Sequence, residues 1–255
     1  MTTTFLKIFP DQSDFYTFAA ELFRQKVLDA VQTRDRFLIA LSGGGTPIPL
    51  YQLLAHPSNL DTLPWKQMYF FWGDERLVPP QDAESNYYQA YSAFLKFVPV
   101  PPENIFRIKG EHSPTAAASD YAKTLSSFAE KPAGWPRFDL VFLGLGTDGH
   151  TASLFPGSEL TSGVAVIPTV AKYQDRPSLR ISLTPDVIND ARNVAFLVKG
   201  QEKAEALAAT LLAKADLIHL PARRISPTSG TLWWLLDSEA ASLLPASAAL
   251  GIIQL

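Results

Sequence analysis

The sequence contains no cysteine, which removes disulfides, thiolate nucleophiles and cysteine-ligated metals. Charged residues make up only 18% of the 255, and they balance to a net charge of −3. Non-specific nucleic-acid binding needs a basic surface, so no nucleic-acid partner is expected, although a small basic pocket remains compatible with that balance. No stretch reaches the ~18–20 apolar residues of a membrane span. The N-terminus, MTTTFLKIFPDQSDF, lacks the basic region and apolar run of a secretory signal. A cytoplasmic protein without membrane association or an obligate protein partner is the expectation. Histidine is scarce too, with four in the chain and none at helical spacing from another, so no metal site is expected.

What the chain does have is apolar residues, 47% of the total, enough for a substantial core. Six apolar runs read as strands: RFLIAL (36–41), MYFFWGDE (68–75), FDLVFLGLG (138–146), LRISLT (179–184), NVAFLVKG (193–200) and TLWWLLD (231–237). Residues 14–32 read as an amphipathic helix with Phe15, Phe18, Leu22, Val27 and Val31 on its apolar side. Further helices are expected over 46–54, with Pro47 in the first turn, over 115–130, 185–192 and 201–215, and in the alanine-rich segment after 237. Apolar strands separated by helices predict a three-layer α/β fold, with a mostly parallel Rossmann-like sheet and helices on both faces. The proline-rich VPVPPENIF (98–106) reads as a loop, so residues 1–255 are expected to form one domain.

Ligands of open parallel sheets bind beyond the carboxyl ends of the strands. Three polar or glycine-rich clusters follow strand candidates there: Ser42–Pro47, Gly73–Arg76 and Gly144–His150. In SGGGTP, glycines at 43, 44 and 45 followed by Thr46 allow a ligand to approach the backbone, and the helix start favours an anion. A tight turn alone would explain one glycine well and three poorly. The stretch is not a P-loop, because the Lys-Ser/Thr ending is missing. In WGDERLV, Asp74, Glu75 and Arg76 fit either a solvated ion pair or a ligand site in which Arg76 holds an anionic group.

The third cluster, FDLVFLGLGTDGHTASLFPG (138–157), matches the spacing G-x-G-x-x-G at Gly144, Gly146 and Gly149. A dinucleotide site needs a helix opening inside the motif and an acid about 20 residues on. Here Pro156 and Gly157 interrupt any helix, and IPTVAKY offers no acid near 169. The turn instead presents Asp148 and His150. A neutral histidine can take a proton from water near pH 7, with a carboxylate to orient it. His56, His112 and His219 lie in ordinary helix-end or loop contexts. Arg180 and Lys203 read either as surface charges or as members of a phosphate pocket, while Arg223–Arg224 read as structural or peripheral. Trp233 and Trp234 read as packing residues.

Taken together, LSGGGTP, WGDERLVP with SNYYQAY, GLGTDGHTASLFPG, RISLTPDVIND, FLVKGQEKAEAL and PTSGTLWWLLD resemble the 6-phosphogluconolactonase family over about residues 14–240. The resemblance implies hydrolysis of 6-phospho-D-glucono-1,5-lactone, a phosphorylated sugar lactone, in the oxidative pentose phosphate pathway, with no cofactor and no metal. It implies His150 as general base, with Asp148 orienting either the imidazole or substrate hydroxyls. Gly43, Gly44, Gly45, Thr46, Asp74, Arg76, Arg180 and Lys203 would lie near the substrate. Glucosamine-6-phosphate deaminases are similar in fold but continue the histidine motif with IAFNEP, where this chain has TASLFP. A non-catalytic sugar-phosphate sensor would keep the basic contacts without needing His150.

Overall fold

The computed structural model describes residues 3–129, 134–158, 162–172, 176–212 and 219–247. The chain runs through β1 (Thr3–Phe9), α1 (Gln12–Arg34), β2 (Phe37–Leu41), α2 (Ile48–Leu54), α3 (Pro57–Leu60), β3 (Met68–Trp72), β4 (Asp74–Arg76) and α4 (Asn86–Ala93). It continues through α5 (Pro114–Ser127), β5 (Leu140–Leu143), β6 (Val166–Val170), β7 (Leu179–Leu183), α6 (Pro185–Asn189), β8 (Asn193–Val198), α7 (Ala204–Leu212) and β9 (Thr231–Asp237).

Six strands form a parallel sheet in the order β1-β9-β8-β5-β2-β3. Every residue of β2, β5 and β8 is buried. A strand that shows no exposed side has cover on both faces, as the continuous apolar runs required. Helix α1 begins at Asp11, whose carboxylate accepts from the Ser13 N–H at 2.6 Å, and ends at Asp35 in the left-handed conformation. Its buried side, Phe15, Ala19, Leu22, Phe23, Val27 and Ala30, packs against the sheet. In the interior, Trp234 stacks on Phe196 with ring centroids 4.0 Å apart, while at the surface edge Trp233 stacks on the exposed Phe5.

A second, antiparallel sheet has the order β4-β7-β6. This corrects two readings of the apolar runs. MYFFWGDE is two strands, parted at Gly73, and LRISLT belongs to the small sheet. Gly73 is the junction, since its N–H donates to Leu41 O at 2.9 Å and its carbonyl accepts from Leu183 N at 2.8 Å.

Two strands escaped the sequence signals for physical reasons. The edge strand β1 has mixed exposure, so it shows no continuous apolar run. β6 carries Pro168, tolerated because β6 is an edge strand. The helix expected over 185–192 stops at Asn189, as Arg192 N turns to Phe138 O at 2.8 Å and enters β8. That over 201–215 opens with a 3₁₀ turn at Gln201–Lys203 and reaches Leu212, with 213–215 outside the described residues. The helix expected over 115–130 ends at Ser127, and residue 130 lies outside them. Instead of an alanine-rich helix, residues 238–244 make turns, with Asp237 accepting from Ala240 N at 2.8 Å; residues 248–255 lie outside the described set.

The strand order places the site. From β2 the chain moves outward to β3, whereas β5, β8 and β9 follow one another on the other side of β2. Connections leaving β2 and β5 therefore diverge, opening the crevice typical of a topological switch point. The loops after those strands are Ser42–Pro47 and Gly144–His150.

Candidate active site

One cavity of about 480 Å³ opens at this crevice. Gly43, Gly44, Gly45, Thr46, Asp74, Arg76, His150, Arg180 and Lys203 all line it. All three clusters that follow strand candidates thus meet in one place. Asp148 does not line the cavity; it stands behind His150. Arg223 donates to Thr210 O at 2.9 Å, and neither Arg223 nor Arg224 lines the cavity.

The glycine loop is held from beneath by tyrosines. Where the β2 ladder ends, the buried Tyr51 hydroxyl donates to Ser42 O at 2.6 Å and accepts from Ser42 N at 3.1 Å. Burial drives the Tyr51 hydroxyl pKa far up, so it stays a donor. Tyr121 makes the same clamp on Trp72 at the end of β3, with both bonds at 2.9 Å. Tyr16, pushed up to about 12 by burial and then by the Asp237 charge, donates to Thr46 O at 3.0 Å. The Gly44 N–H is taken by Gln89 Oε1 at 3.0 Å. The N–H groups of Gly43, Gly45 and Thr46 make no hydrogen bond among the described residues, and they are the loop donors left to a ligand.

The small sheet supplies a charged wall. Arg76 and Arg180 are direct cross-strand partners, 7% and 4% exposed. Like charges directly opposite each other weaken a sheet, so this pairing makes sense where an anion lies between or before them. Arg180 Nε donates to Pro177 O at 2.8 Å, and Arg76 Nη1 meets the Glu84 carboxylate at 3.3 Å. The buried Arg76 Nε has no hydrogen-bond partner. Lys203 joins from the turn after Gly200, whose φ of 96° suits glycine and whose N–H is held by Asp237 at 3.1 Å. Glu75 points away from the cavity and ties β4 to α4. Its carboxylate accepts from Arg76 N, Asn86 N, Tyr87 N and Ser85 Oγ at 2.7–3.0 Å. Burial raises Glu75 to about 7 against those N–H donors, with the Asp74 charge adding to the rise.

The histidine turn folds on itself. Gly146 N donates to His150 O at 2.8 Å, and Gly149, at φ 82°, reverses the chain. Asp148 Oδ1 accepts from the His150 backbone N–H at 3.1 Å and meets Nδ1 at 2.5 Å. Phe155 packs against the imidazole, with centroids 5.0 Å apart. Burial works against the Asp148 carboxylate, but the hydrogen bond and charge of His150 outweigh it and hold the carboxyl below its usual range. An ionised Asp148 at Nδ1 selects the tautomer with the proton on Nδ1, leaving the lone pair on Nε2.

Comparison with known proteins agrees with this architecture. The sequence profile of glucosamine-6-phosphate isomerases/6-phosphogluconolactonase matches residues 10–234. The chain belongs to that family. A 6-phosphogluconolactonase of Nostoc sp. is 39% identical over 241 residues, spanning 94% of this chain and 98% of that protein. One from Synechocystis sp. is 43% identical over 223 residues, 84% of this chain and 88% of the relative. The structure of 6-phosphogluconolactonase from Trypanosoma brucei superposes with a TM-score of 0.80 at 30% identity, over 96% of this chain and 99% of that one.

In this member of the glucosamine-6-phosphate isomerase/6-phosphogluconolactonase family, three polar lining residues escaped sequence reasoning: Asn86, Arg176 and Glu202. Asn86 lies in SNYYQAY directly after Ser85, the N-cap of α4, and reads from sequence as an ordinary helix start. Arg176 sits in a connection before β7 that carries no motif. Glu202 adjoins Lys203 in a stretch that reads as the exposed start of a helix.

Proposed function

We propose that this chain hydrolyses 6-phospho-D-glucono-1,5-lactone to 6-phosphogluconate, with His150 as the general base. The observation that carries the reading is the Asp148–His150 pair at one wall of a cavity whose other walls bring Arg76, Arg176, Arg180 and Lys203 together. Four cations against the carboxylates of Asp74 and Glu202 suit a substrate that brings a phosphate.

In the step proposed, Nε2 of His150 removes a proton from water while the water oxygen bonds to the lactone carbonyl carbon. Negative charge gathers on the carbonyl oxygen, where N–H groups of the glycine loop are donors of the right kind. The ring C–O bond then breaks, and the proton on Nε2 passes to the departing ring oxygen. The resulting carboxylic acid ionises to solvent. Asp148 keeps the proton on Nδ1 throughout and stabilises the imidazolium between the two transfers. Base catalysis of this kind contributes about 10²–10⁴-fold. Phosphate binding at the arginine wall adds positioning, holding the carbonyl near the base.

The test follows freshly generated lactone above its spontaneous opening, with chelator present, for the wild type and His150→Ala. Glucosamine 6-phosphate runs in parallel with ammonia detection. Enzymatic lactone loss abolished by the substitution supports the proposal. Loss that survives it removes His150 as the base, and ammonia release without lactone loss moves the chain to the isomerase branch.

A further inference from the structure

We propose that Asn86, which lines the cavity, reads a ring hydroxyl of the substrate through an amide oxygen that the fold leaves buried and unpaired; the inference rests on the lactone reading above. Asn86 is the first residue of α4 and only 1% exposed. Its Nδ2 donates to Asp74 O at 2.8 Å and to Asp74 Oδ1 at 3.2 Å. A carbonyl and a carboxylate only accept, so chemistry alone sets which end of the amide faces Asp74. Asp74 is itself fixed by Ser153 Oγ at 2.7 Å, from the segment that carries His150.

Oδ1 consequently points the other way, over Gly43. A Cβ at residue 43 would lie 1.8 Å from it, so the glycine makes room for this oxygen. Oδ1 is buried and has no hydrogen-bond partner, and Asn86 lines the cavity. A buried acceptor left unpaired costs about 1–3 kcal/mol, a cost that a ligand donor removes. The substrate's phosphate, when dianionic, and its carbonyl are acceptors, and neither can satisfy Oδ1. Only its ring hydroxyls can. The hydroxyl edge of the sugar therefore faces Asn86, and the phosphate lies toward the cationic groups. A site built to bond a hydroxyl discriminates against the analogue lacking it far better than an apolar wall does.

The test compares kcat/KM for the parent lactone and its 2-, 3- and 4-deoxy analogues in wild type, Asn86→Ala and Asn86→Ser, with melting curves for each protein. In the wild type one deoxy lactone should fall by roughly 10–100-fold, the fold-change matching loss of one buried hydrogen bond. In both variants the parent should fall by a similar factor, and that analogue should be no worse than the parent. If Asn86 only braces Asp74, the variants lose equally on all four lactones, which overturns the inference. So does a wild type that handles every deoxy lactone within threefold of the parent, a result that needs no variant to fold. An enzyme inert toward the parent lactone overturns both readings. One that is His150-dependent but lacks this coupling overturns only the role of Asn86.

Discussion

Gly146→Ala separates the position of the histidine from its presence. A Cβ at residue 146 would lie 2.0 Å from His150 Nδ1, 2.2 Å from Cε1 and 2.6 Å from Asp148 Oδ1. Ordinary contact begins near 3.4 Å, so the imidazole must retreat by roughly 1.4 Å, the difference between that and the shortest approach, breaking its geometry with Asp148. Displacing a catalytic group by 1 Å costs on the order of 10²-fold in rate, so kcat should fall at least 100-fold. The fold should tolerate the change. Gly146 does not have positive φ, and Gly→Ala at a compatible position contributes about 0.4–1 kcal/mol of stability through the unfolded chain. The melting temperature should thus stay within a few degrees of wild type. Gly73→Ala is the control, because its Cβ would meet nothing closer than Leu41 O at 3.6 Å. Rates of lactone loss, corrected for spontaneous opening, decide the matter. A Gly146→Ala enzyme within threefold of wild type in kcat, beside an inactive His150→Ala, would refute the claim that this glycine seats the base.

Tyr51→Phe strips the partner from both Ser42 N and Ser42 O. At about 1–3 kcal/mol for each stranded group, partly offset by relaxation, a loss of roughly 2–4 kcal/mol is expected in urea unfolding. Arg180→Met removes one charge of the facing arginine pair, and kcat/KM should fall about 10–150-fold, chiefly through KM, as for a lost charge-assisted hydrogen bond. For Glu75 the pKa of about 7 in the folded chain lies above the ~4.3 of a free glutamate. Its contribution to stability is therefore complete below the unfolded value and is lost as pH rises through 7. The stability advantage of wild type over Glu75→Gln should shrink from pH 5 to pH 8, as read from melting curves; an advantage that grows with pH would reverse the sign and refute the burial argument.

Much of the fold was legible because β2, β5 and β8 are buried on both faces and so read as unbroken apolar runs. Of the small sheet only its central strand β7 showed as an apolar run, because Ile181 and Leu183 face the core; its flanking strands did not, since β4 carries charged site residues and β6 is a proline-bearing edge. Asp74, Glu75 and Arg76 look like a turn in sequence, and Pro168 speaks against a strand. Histidine and arginine could be singled out by their own chemistry. Asn86 could not, since an asparagine acquires meaning only from what surrounds it, here Asp74 on one side and a glycine on the other.

The glycines show the same limit. The three successive glycines suggest that Gly43 admits a ligand to the backbone, while Gly146, in a spacing set aside as a dinucleotide site, is left without a role. Instead, each makes room for a side chain of the protein, Asn86 in one case and His150 in the other. Two loops from the divergent strands β2 and β5 thus use one device, in which a missing Cβ lets a polar side chain lie close against the backbone. The Gly44 N–H, already engaged by Gln89, points the same way. Restoring a Cβ at 43 should mimic loss of Asn86, altering which deoxy lactones are tolerated. Restoring one at 146 should mimic a misplaced base, slowing all lactones alike.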